Sequence, residues 1–321
     1  MSPRPGGPGT STRGAFVHAG FFHPALFYRD EGEYLAGTVP FVRAGREAGE
    51  PVAVAVPGER LATLRDALGR TADEVSWLDM SEAGRNPGRI IPGVLRDFAD
   101  RHAGGGRVRI IGEPIWPGRS ATEYPACAQH EALINLAFAG RGVSILCPYD
   151  VSGLDEVVIA DARATHPVLI DRHGEHVSGD YAPHRVISAY NRPLPEPPGA
   201  VAMSFDLDAL PLVREFVTRW GARLGLGPRA VGDLELAANE LAANSCLHGG
   251  GAGTARLWSE DGQVVFEVRD AGTITDPLAG RRPADMSPDG GRGILMVNHL
   301  ADLVRMHTGP DGTTVRIYMR N

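Results

Sequence analysis

The sequence predicts two folded units of different class: an α/β unit built on a parallel sheet, then an α+β two-layer sandwich. Three observations carry this. Apolar runs without polar alternation, such as Val52-Ala53-Val54-Ala55-Val56, alternate with helical patterns through the first half, as expected of strands covered on both sheet faces. After residue 200, two long helical patterns precede strands that do alternate, as in a sheet with helices on one face. Between them, Asn191-Arg192-Pro193-Leu194-Pro195-Glu196-Pro197-Pro198-Gly199 packs four prolines into six positions, which reads as a stiff, extended linker.

Residues 1–14 are rich in Pro, Gly, Ser, Thr and Arg and are expected to be a disordered tail. The α/β unit spans 15–190. Its strands are Val52–Val56, 75–78, Val108–Gly112 and 143–147, each followed by a helix: near 59–69, 88–102, 123–139 and 152–163. Residues 191–200 form the linker. The sandwich spans 201–321, with an edge strand at 203–207 and helices near 209–224 and 229–248. Strands follow at 254–258 and 263–269, then a helix from Gly293, then strands at 303–307 and 313–319.

Composition excludes several function classes. A chain of 321 residues with 43% hydrophobic and 22% charged residues is that of a globular protein of two domains. Net charge is −7, with 20 basic against 24 acidic residues up to position 200 and 12 against 15 beyond it. Neither half is basic, so direct binding to nucleic acid or an anionic membrane is not expected. All 32 basic residues are arginine. Without lysine there is no P-loop and no Schiff base. Three scattered cysteines give no disulfide framework and suit a reducing cytoplasm. The N-terminus lacks the apolar core of a signal peptide, and no apolar run approaches the roughly 18 residues of a membrane span.

The chemistry-bearing segments are concentrated in the second unit. Glu240, Asn244 and His248 are spaced i, i+4, i+8 in a helical pattern, so they share one face. That face offers an acid that can serve as base, an amide oxygen suited to Mg²⁺ and an imidazole. Downstream come Asp270-Ala271-Gly272, then Gly290-Gly291-Arg292-Gly293 leading into a helix, then Gly312-Thr313-Thr314-Val315. Amides of a glycine-rich loop at a helix start make an anion site. Singly, these blocks read equally well as a polar helix face, a turn, a helix entry and a strand.

In this order, over about eighty residues, the four blocks resemble the N, G1 and G2 boxes and closing strand of the GHKL (Bergerat-fold) ATPase superfamily. The resemblance implies ATP and Mg²⁺ as cofactors. It implies that Glu240 activates a water or hydroxyl and that Asn244 holds Mg²⁺. It implies that Asp270, Gly272 and Thr313 meet the adenine, and that Gly291 and Gly293 cradle phosphates. One departure stands out: Ile274 occupies a position where a second glycine is expected. Within the superfamily the likeness is to RsbW-type anti-sigma-factor serine kinases. The helical stripe followed by glycine, the short lid between Asp270 and Gly290, and the chain ending soon after the closing strand carry it. That family implies a cytoplasmic serine/threonine-protein kinase regulating transcription. Glu240 would be the base on a serine of a STAS-type anti-sigma-factor antagonist, a sigma factor would be the second partner, and a homodimer is compatible. A non-catalytic ATP-binding module that sequesters a partner is one alternative. A sensor histidine kinase is another, but 165–200 lacks the heptads of a dimerising hairpin. His130-Glu131-Ala132-Leu133-Ile134-Asn135 is only superficially like a phosphoacceptor motif.

The first unit resembles the MEDS (DcmR-type) sensory domain over roughly residues 15–170. His18-Ala19-Gly20-Phe21-Phe22-His23, Phe27-Tyr28-Arg29-Asp30, Gly112-Glu113-Pro114-Ile115-Trp116 and Cys147-Pro148-Tyr149-Asp150 carry the likeness. Ligands of parallel sheets bind beyond the carboxyl ends of the strands. Here those ends carry Asp79, Glu113 with Trp116, and Tyr149 with Asp150, a candidate pocket for a small-molecule signal. Cys127, His130 and Cys147 form a weak metal-ligand pattern.

Overall fold

The computed structural model describes residues 20–104, 106–283 and 292–320; the expected tail 1–14 and Gly291 lie outside them. In the first unit the strands are β1 (Pro24–Tyr28), β2 (Val52–Val56), β3 (Ser76–Asp79), β4 (Val108–Gly112), β5 (Val143–Asp150), β6 (Val168–Asp171) and β7 (Gly174–Val177). They form one sheet in the order β3-β2-β4-β5-β1-β6-β7. All pairings are parallel except the edge hairpin of β6 and β7, so the sheet is mixed rather than wholly parallel.

Helices α1 (Glu31–Glu47) and α2 (Gly58–Leu68) cover one face, over Leu26, Val54, Ile111 and Leu146. The other face carries α3 (Met80–Ala83), α4 (Asp97–Arg101), α5 (Tyr124–Ala137) and α6 (Glu156–Thr165), over Ala25, Ala55, Ile110 and Cys147. α7 (Pro183–Tyr190) packs on α5 and α6. Helix α1 escapes a reading by periodicity because Gly32, Gly37, Pro40 and Gly45 interrupt it. The Asp30 side chain caps its start by accepting from Glu33 N. Gly37 is required by packing, since a Cβ there would lie 2.5 Å from Leu26 Cδ2 on β1. The single helix expected near 88–102 is instead a 3₁₀ turn (Pro87–Arg89), a π-helical stretch (Ile91–Arg96) and α4. Pro92 cannot donate to a continuous ladder there.

The second unit contains β8 (Val201–Asp206), α8 (Leu210–Arg223), α9 (Pro228–His248), β9 (Ala252–Glu260), β10 (Gln263–Asp270), α10 (Arg292–Leu300), β11 (Leu303–Gly309) and β12 (Gly312–Met319). Its antiparallel sheet runs β11-β12-β10-β9-β8. Alternation sorts β10: Val264, Phe266 and Val268 face the three helices, while Val265 faces away. On that outer face Trp258, Val265, Leu303 and Tyr318 pack against Ala126 of α5, so the first unit covers part of the second sheet. The proline-rich stretch is held to the sheet as well. Asn191 exchanges two hydrogen bonds with Thr308, and Arg316 donates to Pro195 O at 2.7 Å.

The two units also meet end-on. The last carbonyls of a helix lack intrahelical donors. At the end of α10 the donors come from the other unit: Asn86 Nδ2 reaches Asn298 O (2.8 Å), and Arg89 reaches Asn298 O (2.9 Å) and Ala301 O (2.8 Å). Arg85 pairs with Asp302 at 2.8 Å beside them, and Arg305 donates to Thr122 O at 2.8 Å. Among the described residues no helix is long and apolar enough to cross a membrane.

Candidate functional site

Helix α9 starts on Pro228, whose missing N–H is harmless at the first helical position. Leu234, Ala237, Ala238, Leu241, Ala242 and Ser245 bury its inner face. Helical spacing then carries Glu240, Asn244 and His248 onto a neighbouring face, toward α10. A cavity of about 270 Å³ opens there, lined by Asn244, Ser245, His248, Asp270, Gly272, Gly293 and Thr313 among others. Glu240 lies at its edge: a Cβ placed on Gly293 would come within 2.9 Å of Asn244 Nδ2 and 3.0 Å of Glu240 Oε2. A glycine at the start of α10 therefore lets backbone and the two side chains meet.

Asp270, the last residue of β10, is fixed by two donors. Ser245 Oγ donates to Oδ2 at 2.6 Å and Gly272 N donates to Oδ1 at 2.8 Å. The carboxylate keeps further lone pairs for a donor in the cavity. Its turn is tightly packed: a Cβ on Gly272 would sit 2.7 Å from Gly249 Cα and His248 O. Gly312 has φ +112°, and a Cβ there would lie 2.0 Å from Asp270 O. Thr313 donates to Gly272 O at 2.8 Å. That uses the Thr313 proton, so Thr308, which accepts from Ile274 N at 2.9 Å, donates to Thr313 Oγ1, also at 2.9 Å.

Asn244, Asp270, Gly272, Gly293 and Thr313 thus converge on one cavity. Gly291 lies outside the described residues. Ser245, Thr308 and Gly249 belong to the same constellation, though sequence reasoning assigned them no role. For Gly249 a signal existed, since a glycine directly follows the Glu-x-x-x-Asn-x-x-x-His stripe. The donor set fits a nucleotide with Mg²⁺: one amide oxygen at Asn244, an anchored carboxylate, and backbone left bare by glycines.

The segment after Asp270 is clamped by the first unit. Leu278 is buried in the first unit's apolar core. Arg281, half-buried, donates to Pro87 O, and desolvation lowers its guanidinium to about 10. Asn298, which accepts from Asn86, donates to Gly280 O at 3.0 Å. Ile274 lines the first cavity and also a second one of about 200 Å³ between the units, with Gln129, Leu133 and Met306.

In the first unit the four expected pocket residues fall on two sides of the sheet. Glu113 and Asp150 meet around Arg60, at 3.0 and 3.8 Å. Glu113 is 1% exposed, Tyr28 OH donates to it at 3.5 Å, and burial drives its carboxyl up to about 8 against the pull of Arg60. Tyr149 packs in the opposite core on Phe27, and Trp116 packs on that core under the Arg119 guanidinium.

Comparison with known families agrees with this architecture. Residues 22–167 match the family MEDS, the methanogen/methylotroph DcmR sensory domain. Residues 203–319 match the histidine kinase-like ATPase domain. Among solved structures, the RsbU and RsbW domains of a Mycobacterium tuberculosis protein align at 23% identity and TM-score 0.30, over 40% of this chain and 34% of that one. No curated protein matches the chain. The chain joins a MEDS domain to a histidine kinase-like ATPase domain.

Proposed function

We propose that the second unit binds Mg-ATP and transfers its γ-phosphoryl group to a serine of a protein partner, under control of the first unit. The observation that carries the nucleotide reading is Asp270. Its carboxylate is held by Ser245 and Gly272 N on the wall of a cavity that Asn244 and Gly293 also line. An anchored carboxylate with spare lone pairs suits an exocyclic amino group. Asn244 would contribute one oxygen to Mg²⁺, which usually keeps waters and phosphate oxygens as its other ligands. ATP supplies the phosphoryl group, and such transfers depend on positioning and charge neutralisation more than on covalent help. Glu240, one turn before Asn244, would accept the proton of the attacking serine hydroxyl. The RsbW-like motif order supports an anti-sigma-factor antagonist of STAS type as the substrate and a sigma factor as the competing partner.

Ile274 favours a second reading. A branched side chain where the superfamily has glycine stiffens the turn, and Leu278 is already held by the first unit. The domain would then bind ATP and capture a partner without phosphotransfer. Calorimetric titration of Mg-ATP into wild type and Asn244→Ala tests the site. We expect wild type to bind and Asn244→Ala to lose at least about tenfold, the equivalent of about 1.4 kcal/mol. Absence of binding by wild type rejects both readings. A transfer assay on candidate antagonists then separates them: a kinase loses turnover in Glu240→Ala and keeps nucleotide affinity, whereas a sequestering module shows no turnover in either protein.

A further inference from the structure

Deep in the first unit, four side chains from four elements converge: His23 just before β1, Glu131 on α5, Cys147 on β5 and His166 at the end of α6. The topology explains the meeting. β1 and β5 are parallel neighbours with Ala25 opposite Cys147, and α5 and α6 lie over the face that Cys147 presents. All four are at most 1% exposed, and one donor atom from each lies within 4.8 Å of every other. Cys147 Sγ is 3.4 Å from His23 Nε2, which is 3.5 Å from Glu131 Oε2. His166 Nε2 is 3.2 Å from the same oxygen. Tetrahedral bonds of about 2.0–2.3 Å imply ligand–ligand edges of roughly 3.3–3.8 Å, so the three closest spacings are near those of a coordination sphere, and the wider ones, up to 4.8 Å, would have to draw in around an ion.

The hydrogen bonds point the same way. Asn135 Nδ2 donates to the carbonyls of Glu131, Ala132 and Thr165, which assigns Asn135 Oδ1 as an acceptor facing His23 Nδ1 at 3.2 Å. His23 therefore carries its proton on Nδ1. His166 Nδ1 donates to Ala162 O at 2.8 Å, which assigns the same tautomer. Each Nε2 then presents a lone pair toward a carboxylate that can only accept. Among the described residues neither Glu131 oxygen nor His166 Nε2 has a hydrogen-bond partner of good geometry. Acceptors converging among side chains at most 1% exposed repel one another unless a proton or a metal ion lies among them. An imidazole whose outer N–H is tied to an amide or main-chain oxygen is the arrangement that orients a metal ligand.

We propose that His23, Glu131, Cys147 and His166 bind a tetrahedral divalent transition-metal ion, zinc in the first instance. Two nitrogens, one oxygen and one sulfur form a borderline-soft set, and four protein ligands close the sphere, as in a structural site. The ion would pin β1, β5, α5 and α6 together. Its thiolate would make that pin sensitive to oxidation.

Metal analysis of the purified full chain should find one zinc per chain. After chelation, anaerobic titration with Co²⁺ should give intense visible bands of a four-coordinate ion and a near-ultraviolet thiolate charge-transfer band. X-ray absorption should count one sulfur per cobalt. Cys147→Ala should lose the charge-transfer band. Cys127→Ala, which alters a buried thiol outside the cluster, should keep it. If Cys147→Ala does not fold, the sulfur count on the wild-type chain still decides. Two sulfurs per cobalt, retention of the charge-transfer band in folded Cys147→Ala, or wild type without metal, cobalt bands or a zinc-dependent rise in melting temperature would each overturn the proposal.

Discussion

At Gly293 a missing methyl group separates stability from binding. A Cβ there would press on Asn244 Nδ2 and Glu240 Oε2 within about 3 Å. Yet both atoms are the ends of flexible side chains, and Gly293 lies in the first turn of α10 where alanine is readily accommodated. Gly293→Ala should therefore hold or raise the melting temperature while lowering Mg-ATP affinity about tenfold or more, an opposition of sign that simple misfolding does not produce. Glu113 makes a second prediction. Its folded value of about 8 exceeds the ordinary 4.5, so the native state holds the proton more tightly than the unfolded chain. The resulting stability is complete below 4.5 and fades as pH rises through about 8. Over that window the wild-type melting temperature should fall relative to that of Glu113→Gln, and parallel curves would rule the shift out. At this scale, motif order was enough to pick out Asn244, Asp270, Gly272, Gly293 and Thr313, which the fold gathers around one cavity. It was silent on Ser245 and Thr308, whose roles exist only once α9, β10 and β11 lie side by side. The metal-ligand pattern read from Cys127, His130 and Cys147 retains only Cys147. Proximity along α5 selected His130, whereas the fold brings in Glu131 with His23 and His166 from distant segments.

Elements that carry their own signal were legible: the continuous apolar run of β2, the long helix α9, the alternation of β10. β1 was not, being five residues opened by a proline, and α1 was hidden by three glycines and Pro40. Both are held by tertiary packing more than by local preference. The contact of the Pro87–Arg89 turn with the end of α10 was likewise illegible, since nothing local marks a helix capped by another unit. It is testable through Asn86. Alanine there removes the donors to Asn298 and the acceptor for Gly88 N at 3.0 Å. Arg89 still serves both carbonyls at the end of α10. The cost should be near the lower end of the roughly 1–3 kcal/mol for an orphaned buried group. Thermal unfolding of the full chain should show it, with hydrogen exchange accelerated selectively in α10. A uniform loss of protection across both units would place the effect elsewhere.

For the whole molecule, those contacts join the wall of the candidate nucleotide cavity to the MEDS domain. Asn298 receives Asn86 from one side and holds Gly280 from the other, and the chain from Ile274 to Gly280 walls the cavity. If nucleotide alters that wall, it must alter the first unit's grip on it, and the two effects are bound to be equal in free energy. Mg-ATP should therefore change exchange protection at residues 85–89, which are far in sequence from every proposed nucleotide contact but joined to them through α10. Reciprocally, Asn86→Ala should shift Mg-ATP affinity by a factor in the range of about 5–150 that allosteric couplings span. The direction reports the resting state: tighter binding means the first unit restrains the site, weaker binding means it completes the site. Unchanged affinity together with unchanged protection would mean that the units touch without coupling, and control by the first unit would then have to act on partner binding rather than on nucleotide.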